Sequence, residues 1–227
     1  MNKVKQIKIK SIPANIANPF VVRHHYSRKV VQNSSLHLGV FLNGVLHGVM
    51  SFGSPMDKRK VLGLVVHKKT KKKAPWNDML ELNRMAFDDA LPKNSESRAI
   101  SVAIKLLRKY APNIKWILSF ADGTQAGNGT IYRASGFKLT QIKPNKTLLR
   151  MPSGDIVANM TLTAHFHSPI VKKQSEFLNI EHKYRTEKEW VELGAEPLKG
   201  SMYRYIKIID PDYILNCEEL SYKDIVR

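Results

Sequence analysis

Apolar residues recur at every second position over Leu36, Leu38, Val40 and Leu42, and Asn43-Gly44 follows directly. A period of two puts these side chains on one face of a strand. Asn-Gly is the pair that most readily takes the positive φ angles of a type I′ turn. The pattern therefore predicts a β-hairpin that returns from Val45 to about Phe52. Upstream, Ile7 and Ile9 alternate with Lys8 and Lys10, which predicts a lysine-edged strand. Between the two, Pro19 to Lys29 reads as a less regular stretch holding the polar cluster His24-His25-Tyr26-Ser27-Arg28.

Leu80-Glu81-Leu82-Asn83-Arg84-Met85-Ala86-Phe87 starts as another alternating strand, but its apolar phase changes parity between Leu82 and Met85. One inserted residue swaps the faces downstream of it, so a β-bulge is predicted there. From Ser95 to Tyr110 the apolar positions follow a helical stripe, with Asn94 as N-cap and Pro112 beyond the end. Trp116 to Ala121 forms a short strand ending on Asp122. Gly123, Gly127 and Gly129 make the next loop permissive, and a short helix from Thr130 to Ser135 stops at Gly136. Farther on, Leu148–Met151 and Ile156–Thr163 flank the turn Pro152-Ser153-Gly154-Asp155 and read as a second hairpin. Thr186-x-x-Glu189 is a capping box for a helix that carries Trp190 and ends at Gly194, and Met202–Ile209 reads as a last strand. The chain is predicted to be one α+β domain, with residues 1–140 as its core and 141–227 as strands and a helix completing it.

Charge narrows the choice of partner. There are 37 Lys+Arg against 19 Asp+Glu, a formal net charge of +18, and such an excess favours a polyanion through counterion release. It is concentrated in Lys58-Arg59-Lys60 and in Lys68-Lys69-Thr70-Lys71-Lys72-Lys73, on either side of the apolar run Val61–Val66. With no apolar period of its own, the second cluster reads as a solvated loop. Lys68, Lys69, Lys71, Lys72 and Lys73 are candidate phosphate contacts, as are Arg23 and Arg28. No basic stretch carries the apolar face of an interfacial helix, and no apolar run is long enough to span a bilayer, so no membrane partner is expected. The lone Cys217 excludes an internal disulfide, no Cys/His cluster has zinc spacing, and a reducing cytoplasm fits. The Gly123–Gly129 loop matches neither a Walker motif nor a dinucleotide fingerprint.

The predicted element order is that of the Gcn5-related N-acetyltransferases. Three motifs go further: Glu81-Leu-Asn-Arg84-Met85 with Pro92-Lys-Asn94-Ser95-Glu96-Ser97; Ser119-Phe-Ala-Asp122-Gly123-Thr-Gln; and Gly129-Thr-Ile-Tyr132-Arg-Ala134-Ser135-Gly-Phe137. They resemble the core of the Mom family of phage DNA-modification proteins over about residues 20 to 140. The resemblance implies an acetyltransferase-like fold with a central, mostly antiparallel sheet flanked by helices. It also implies an enzyme of the host cytoplasm that adds a carbamoylmethyl group to adenine N6 in double-stranded DNA, using a small-molecule donor, and so shields that DNA from restriction nucleases. The family's functional positions fall on His25, Tyr26, Arg84, Asp122 and Tyr132, and Ser95, Gly123, Thr124 and Gly127 are candidate cofactor contacts. His25 and Tyr26, with Asp122 and Tyr132 if they converge, are candidate metal ligands, for which iron is the fitting ion.

One departure bears on the donor. Where acetyltransferases carry a glycine-rich pyrophosphate loop, this chain has Asp88-Asp89-Ala90-Leu91-Pro92-Lys93-Asn94-Ser95. Proline lacks an N–H and two carboxylates repel phosphate, which disfavours acetyl-CoA. On pattern alone, Arg84 also fits a surface ion pair, Asp122 an Asx-turn and Tyr132 a packing tyrosine. Two other functions remain open at this level: N-acylation of a small amine or protein lysine, and DNA binding without catalysis.

Overall fold

Asn43 and Gly44 both take positive φ, 52° and 84°, and close the hairpin that the alternation predicts. A computed structural model describes residues 6–124 and 127–225 of the chain, so Gln125 of the second motif lies outside the described residues. The chain divides into two compact units, residues 1–142 with 203–227, and residues 143–202. This differs from the division expected near residue 140, because the last segment rejoins the first unit.

The larger unit runs β1 (Lys8–Ser11), α1 (Ala14–His24), β2 (Ser34–Leu42), β3 (Val45–Gly53), α2 (Lys58–Val61), β4 (Val65–His67), β5 (Met79–Phe87), α3 (Ser95–Tyr110), β6 (Trp116–Asp122), α4 (Thr130–Ala134) and β7 (Lys138–Pro144). The smaller unit contributes β8 (Leu148–Arg150), β9 (Ile156–Ala158), α5 (Asn159–Thr163), α6 (Pro169–Phe177), α7 (Glu187–Glu192) and β10 (Glu196–Pro197), and the chain returns as β11 (Ser201–Ile208) and β12 (Tyr213–Leu215). A 7-stranded sheet has the order β1-β2-β3-β5-β6-β11-β7. Pairing is antiparallel from β1 to β5 and parallel between β5 and β6. The expected mixed class, with a mostly antiparallel central sheet flanked by helices, is what forms.

The bulge forms where the parity change predicts it. Ser51 pairs with Arg84 and Phe52 with Leu82, which leaves Asn83 as the extra residue. Leu82 and Met85 can then both join the core beneath α3, which contains Ile100, Ala103, Ile104 and Leu107. Glu81 and Arg84 share the opposite face.

Two local expectations are corrected. The stretch read as irregular from Pro19 onward begins inside helix α1, which Pro19 does not end. That helix buries only Ala17 and Val21, four residues apart, against Val49 and Ala86, too short a stripe to stand out in the sequence. The second arm of the late hairpin stops at Ala158, and a helical turn carries the fully buried Leu162 into the core beside Val157. The lysine run is the expected solvated loop, and hydrogen bonds order it as a turn. His67 N–H bonds to Lys72 O and Lys71 N–H to His67 O, each at 2.9 Å, and Lys68 N–H bonds to Asp212 O at 2.7 Å. The lysine side chains still project into solvent.

The smaller unit has its own sheet, β10-β8-β9, and its own core around the fully buried Trp190 with Leu149, Met151, Val157, Leu162 and Val171. The Thr186/Glu189 capping box forms as predicted. In a unit of this size one large side chain supplies much of the stability. Trp190→Ala should cost about 3–5 kcal/mol. The expected result is amide exchange accelerated across residues 143–202; unchanged protection there would show that Trp190 is not its keystone.

Candidate functional site

The strand registers define a gap on one face of the large sheet. On that face β5 presents Met79, Glu81, Arg84 and Ala86 in order, since Glu81 lies opposite Gly53 and Arg84 opposite Ser51. Ala86 is covered by α1 through Ala17 and Val21. At the other end Met79 is covered by the α2–β4 segment, whose Val61, Val65 and Ala74 pack on Met79, Trp116 and Leu118. Glu81 and Arg84 lie between the two covers.

At the same place the sheet opens. The β5–β6 ladder ends at Leu82/Ser119, although β5 continues to Phe87 and β6 to Asp122. Beyond the last rung, groups from the two faces of the sheet can meet. Tyr132, on α4, packs in the α3-side core, and the charges of Tyr26 and Glu81, on the other side, add to the effect of burial in raising its hydroxyl.

His25 and Tyr26 enter from the end of α1, their rings 4.3 Å apart at 32°. His25 is buried and Tyr26 half-exposed. The Nδ1 of His25 accepts the backbone N–H of Ser27 at 3.1 Å and lies 2.8 Å from the Ser27 hydroxyl. A backbone N–H can only donate, so Nδ1 carries the lone pair and the neutral ring turns Nε2–H outward as a donor. Burial, and then the Arg84 charge, push His25 down to about 4. At neutral pH it is a hydrogen-bond donor and not a base.

Arg84 donates Nε–H to Lys29 O at 2.9 Å and an Nη1 proton to Asn83 O at 2.6 Å. Two backbone carbonyls thus aim the guanidinium, and it makes no ion pair within bonding distance among the described residues. Its second amino group is left for a ligand. Glu81 is the functional candidate that sequence reasoning passed over. Burial pushes its carboxyl up to about 7, and the Arg84 charge opposes part of that rise. The available signal was an acid in an apolar strand, placed by the bulge on the same face as Arg84.

Tyr132 is enclosed, stacked on Tyr205 with centroids 5.1 Å apart at 27°, and burial pushes its hydroxyl up to about 12. Tyr205 is held in turn by a 2.5 Å bond to Asn128 O. Gly129, at φ 72°, permits this contact, since a Cβ there would lie 2.4 Å from the Tyr205 ring. Asp122 spends one oxygen on the Thr124 N–H at 2.9 Å and hydroxyl at 2.6 Å. That is the Asx-turn; its charge nevertheless reaches the gap, where it raises the Tyr26 hydroxyl after the larger effect of burial.

His25 and Tyr26 are in ring contact; Arg84 lowers His25, Asp122 raises the Tyr26 hydroxyl and Tyr26 raises that of Tyr132, while no side-chain hydrogen bond joins any two of the five among the described residues. The cofactor candidates do not converge as a group. Ser95 is fully buried with its hydroxyl donated to Pro92 O, Gly123 and Thr124 form the turn after β6, and Gly127 is exposed. Arg23 and Arg28 stand exposed at the end of α1, joined by a bond from the Arg28 guanidinium to Arg23 O. Among the described residues no three His, Cys, Asp or Glu side chains come together, and the Arg84 cation stands beside His25 and Tyr26.

Comparison with known proteins places the chain. It aligns with the methylcarbamoylase Mom of Escherichia phage Mu at 38% identity over 133 residues, which is 59% of this chain and 53% of that protein. The alignment thus spans about half the length of the phage Mu protein. Among solved structures, the ribosomal-protein-S18-alanine N-acetyltransferase of Escherichia coli is 11% identical, with a TM-score of 0.47 over 90% of this chain and 94% of that one. A Bacillus subtilis acetyltransferase in complex with CoA is 10% identical, with a TM-score of 0.46 over 89% and 97%. The model of the Mom protein family matches residues 6–224, and the chain belongs to that family.

Proposed function

We propose that this protein modifies adenine in double-stranded phage DNA within the host cytoplasm, adding a carbamoylmethyl-type group to N6 and so hindering restriction nucleases. One observation carries the reading: Glu81 and an Arg84 guanidinium aimed by two backbone carbonyls share one face of β5 where the β5–β6 ladder ends. The relative from phage Mu, named a methylcarbamoylase, supports it. So does the charge, of which residues 143–202, with nine Lys+Arg and seven Asp+Glu, hold only +2 of the +18.

Adenine N6 is a weak nucleophile, and within a duplex it is paired and stacked, so the base must leave the stack. In the gap, Tyr26 offers a half-exposed ring for the extruded base. As the new N6–carbon bond forms, one N6 proton passes to the Glu81 carboxylate and the leaving group departs from the donor carbon. Tyr132 retains its proton through the neutral range and supplies it to the leaving group. Arg84 and the His25 Nε2–H hold the donor's anionic or carbonyl oxygen. The small-molecule donor is defined only by these needs: a carbon bearing a leaving group, and an oxygen for Arg84. With Ser95 committed to Pro92 and no glycine-rich loop before α3, acetyl-CoA is disfavoured.

The test is mass analysis of DNA nucleosides after expression in a bacterium, with isotope-labelled precursors to trace the donor. A modified adenosine, and resistance to nucleases whose sites contain adenine, are expected because a bulky N6 group blocks major-groove readout. Unmodified adenosine with normal digestion would sink the reading.

A further inference from the structure

The gap over Glu81 and Arg84 is bordered on both sides by cations. On one side are Arg23 and Arg28, at the end of α1. On the other is the segment from Asp57 to Lys73, which holds eight Lys/Arg and one acid. Asp57 is paired with Arg59 and Lys60 at 3.4 Å, while Arg59 and Lys60 remain 91% and 80% exposed at the side chain. Lys58 lies over the Trp76 ring at 5.6 Å, which ties α2 to the body of the protein. Hydrogen bonds fix the lysine turn, and the Val66–Lys73 bridge joins it to β4. These cations are thus displayed on ordered backbone. Lys58 is five residues from Gly53, the cross-strand neighbour of Glu81, so it lies within roughly 17 Å of the gap.

We propose that this face of the sheet, and not the α3 face, receives duplex DNA. Lys58, Arg59 and Lys60 join the lysine turn in gripping phosphates on one side, Arg23 and Arg28 grip them on the other, and the extruded base enters between α1 and α2. The inference rests on DNA being the substrate and adds the docking face, the direction of entry and the α2 cations. Charge complementarity is the ground for the occupant: closely spaced cations with one acid among them match a phosphate backbone and read no sequence. On α3, Lys105 and Lys109 are also exposed, but they sit behind the other face of the sheet.

The experiment measures the affinity of the full-length protein for two duplexes of unrelated sequence as salt is varied. Arg59→Gln/Lys60→Gln should lower the slope of log affinity against log salt by about 2, near 0.9 for each phosphate that is no longer neutralised. It should weaken both duplexes alike while the melting temperature is kept. Lys105→Gln/Lys109→Gln on α3 should leave slope and affinity unchanged. A smaller slope in the α3 variant, an equal fall in both variants, no fall in the α2 variant, or absence of salt-dependent binding by the wild type would each overturn the proposal. Nucleoside analysis separates this outcome from the reaction: the expected slopes with unmodified adenosine would leave the docking face standing and remove the chemistry.

Discussion

Glu81→Gln should abolish most adenine modification, with a loss of about 100- to 10,000-fold, the range for a positioned general base. Among the described groups around the gap, Glu81 is the carboxyl that burial poises to take up a proton near neutral pH. His25 has its Nδ1 occupied and is held near 4, Asp122 is engaged by Thr124, and the Tyr26 and Tyr132 hydroxyls are raised. A base works when deprotonated, so the wild-type kcat/KM should rise through about pH 7 and level off above it. Stability runs the other way: the folded pKa is raised above the usual carboxylate value, so the protein loses stability as pH rises toward 7 and the buried carboxyl ionises. Glu81→Gln, which cannot ionise, should be the more stable protein at pH 8 while being the less active one. A variant with full activity and an unaltered pH profile would remove Glu81 from the reaction.

Arg84→Gln is expected to be nearly as damaging, at about 100- to 1,000-fold, the range for losing a preorganised charged donor. The effect on the pH profile is more telling than the size of the loss. The guanidinium holds Glu81 below the value that burial alone would impose, and it also lowers His25. Its removal should therefore shift the residual activity limb above pH 7 and raise the histidine titration, which NMR of the imidazole reads directly. Melting should change little, because the bonds removed, to the Lys29 and Asn83 carbonyls, are exposed or only partly buried. An unmoved limb would mean that Glu81 and Arg84 do not share one electrostatic environment.

Much of this was legible along the chain because local geometry leaves a local trace. The Asn43-Gly44 hairpin, the parity change at Asn83, the α3 stripe and the Thr186 capping box each arise from backbone preferences spanning a few residues. Helix α1 left a weaker trace, since two buried residues and an internal proline make no visible period. The smaller unit was read as part of one domain because a separate core of Trp190, Leu162 and Val171 cannot be told from a shared one by spacing.

For the site, the sequence by itself supplied the residue types and, through the family resemblance, five candidate positions; it also supplied the charge that points to DNA. Only the tertiary structure decided which role each could take. The tautomer and charge of His25 depend on the Ser27 N–H and on burial beside Arg84. Glu81 becomes a candidate base only when packing removes it from water. The gap itself exists because α1 and α2 cover the two ends of β5 while the β5–β6 ladder stops at Leu82/Ser119. These properties are set by distances between residues far apart in the chain, and periodicity carries no record of such distances.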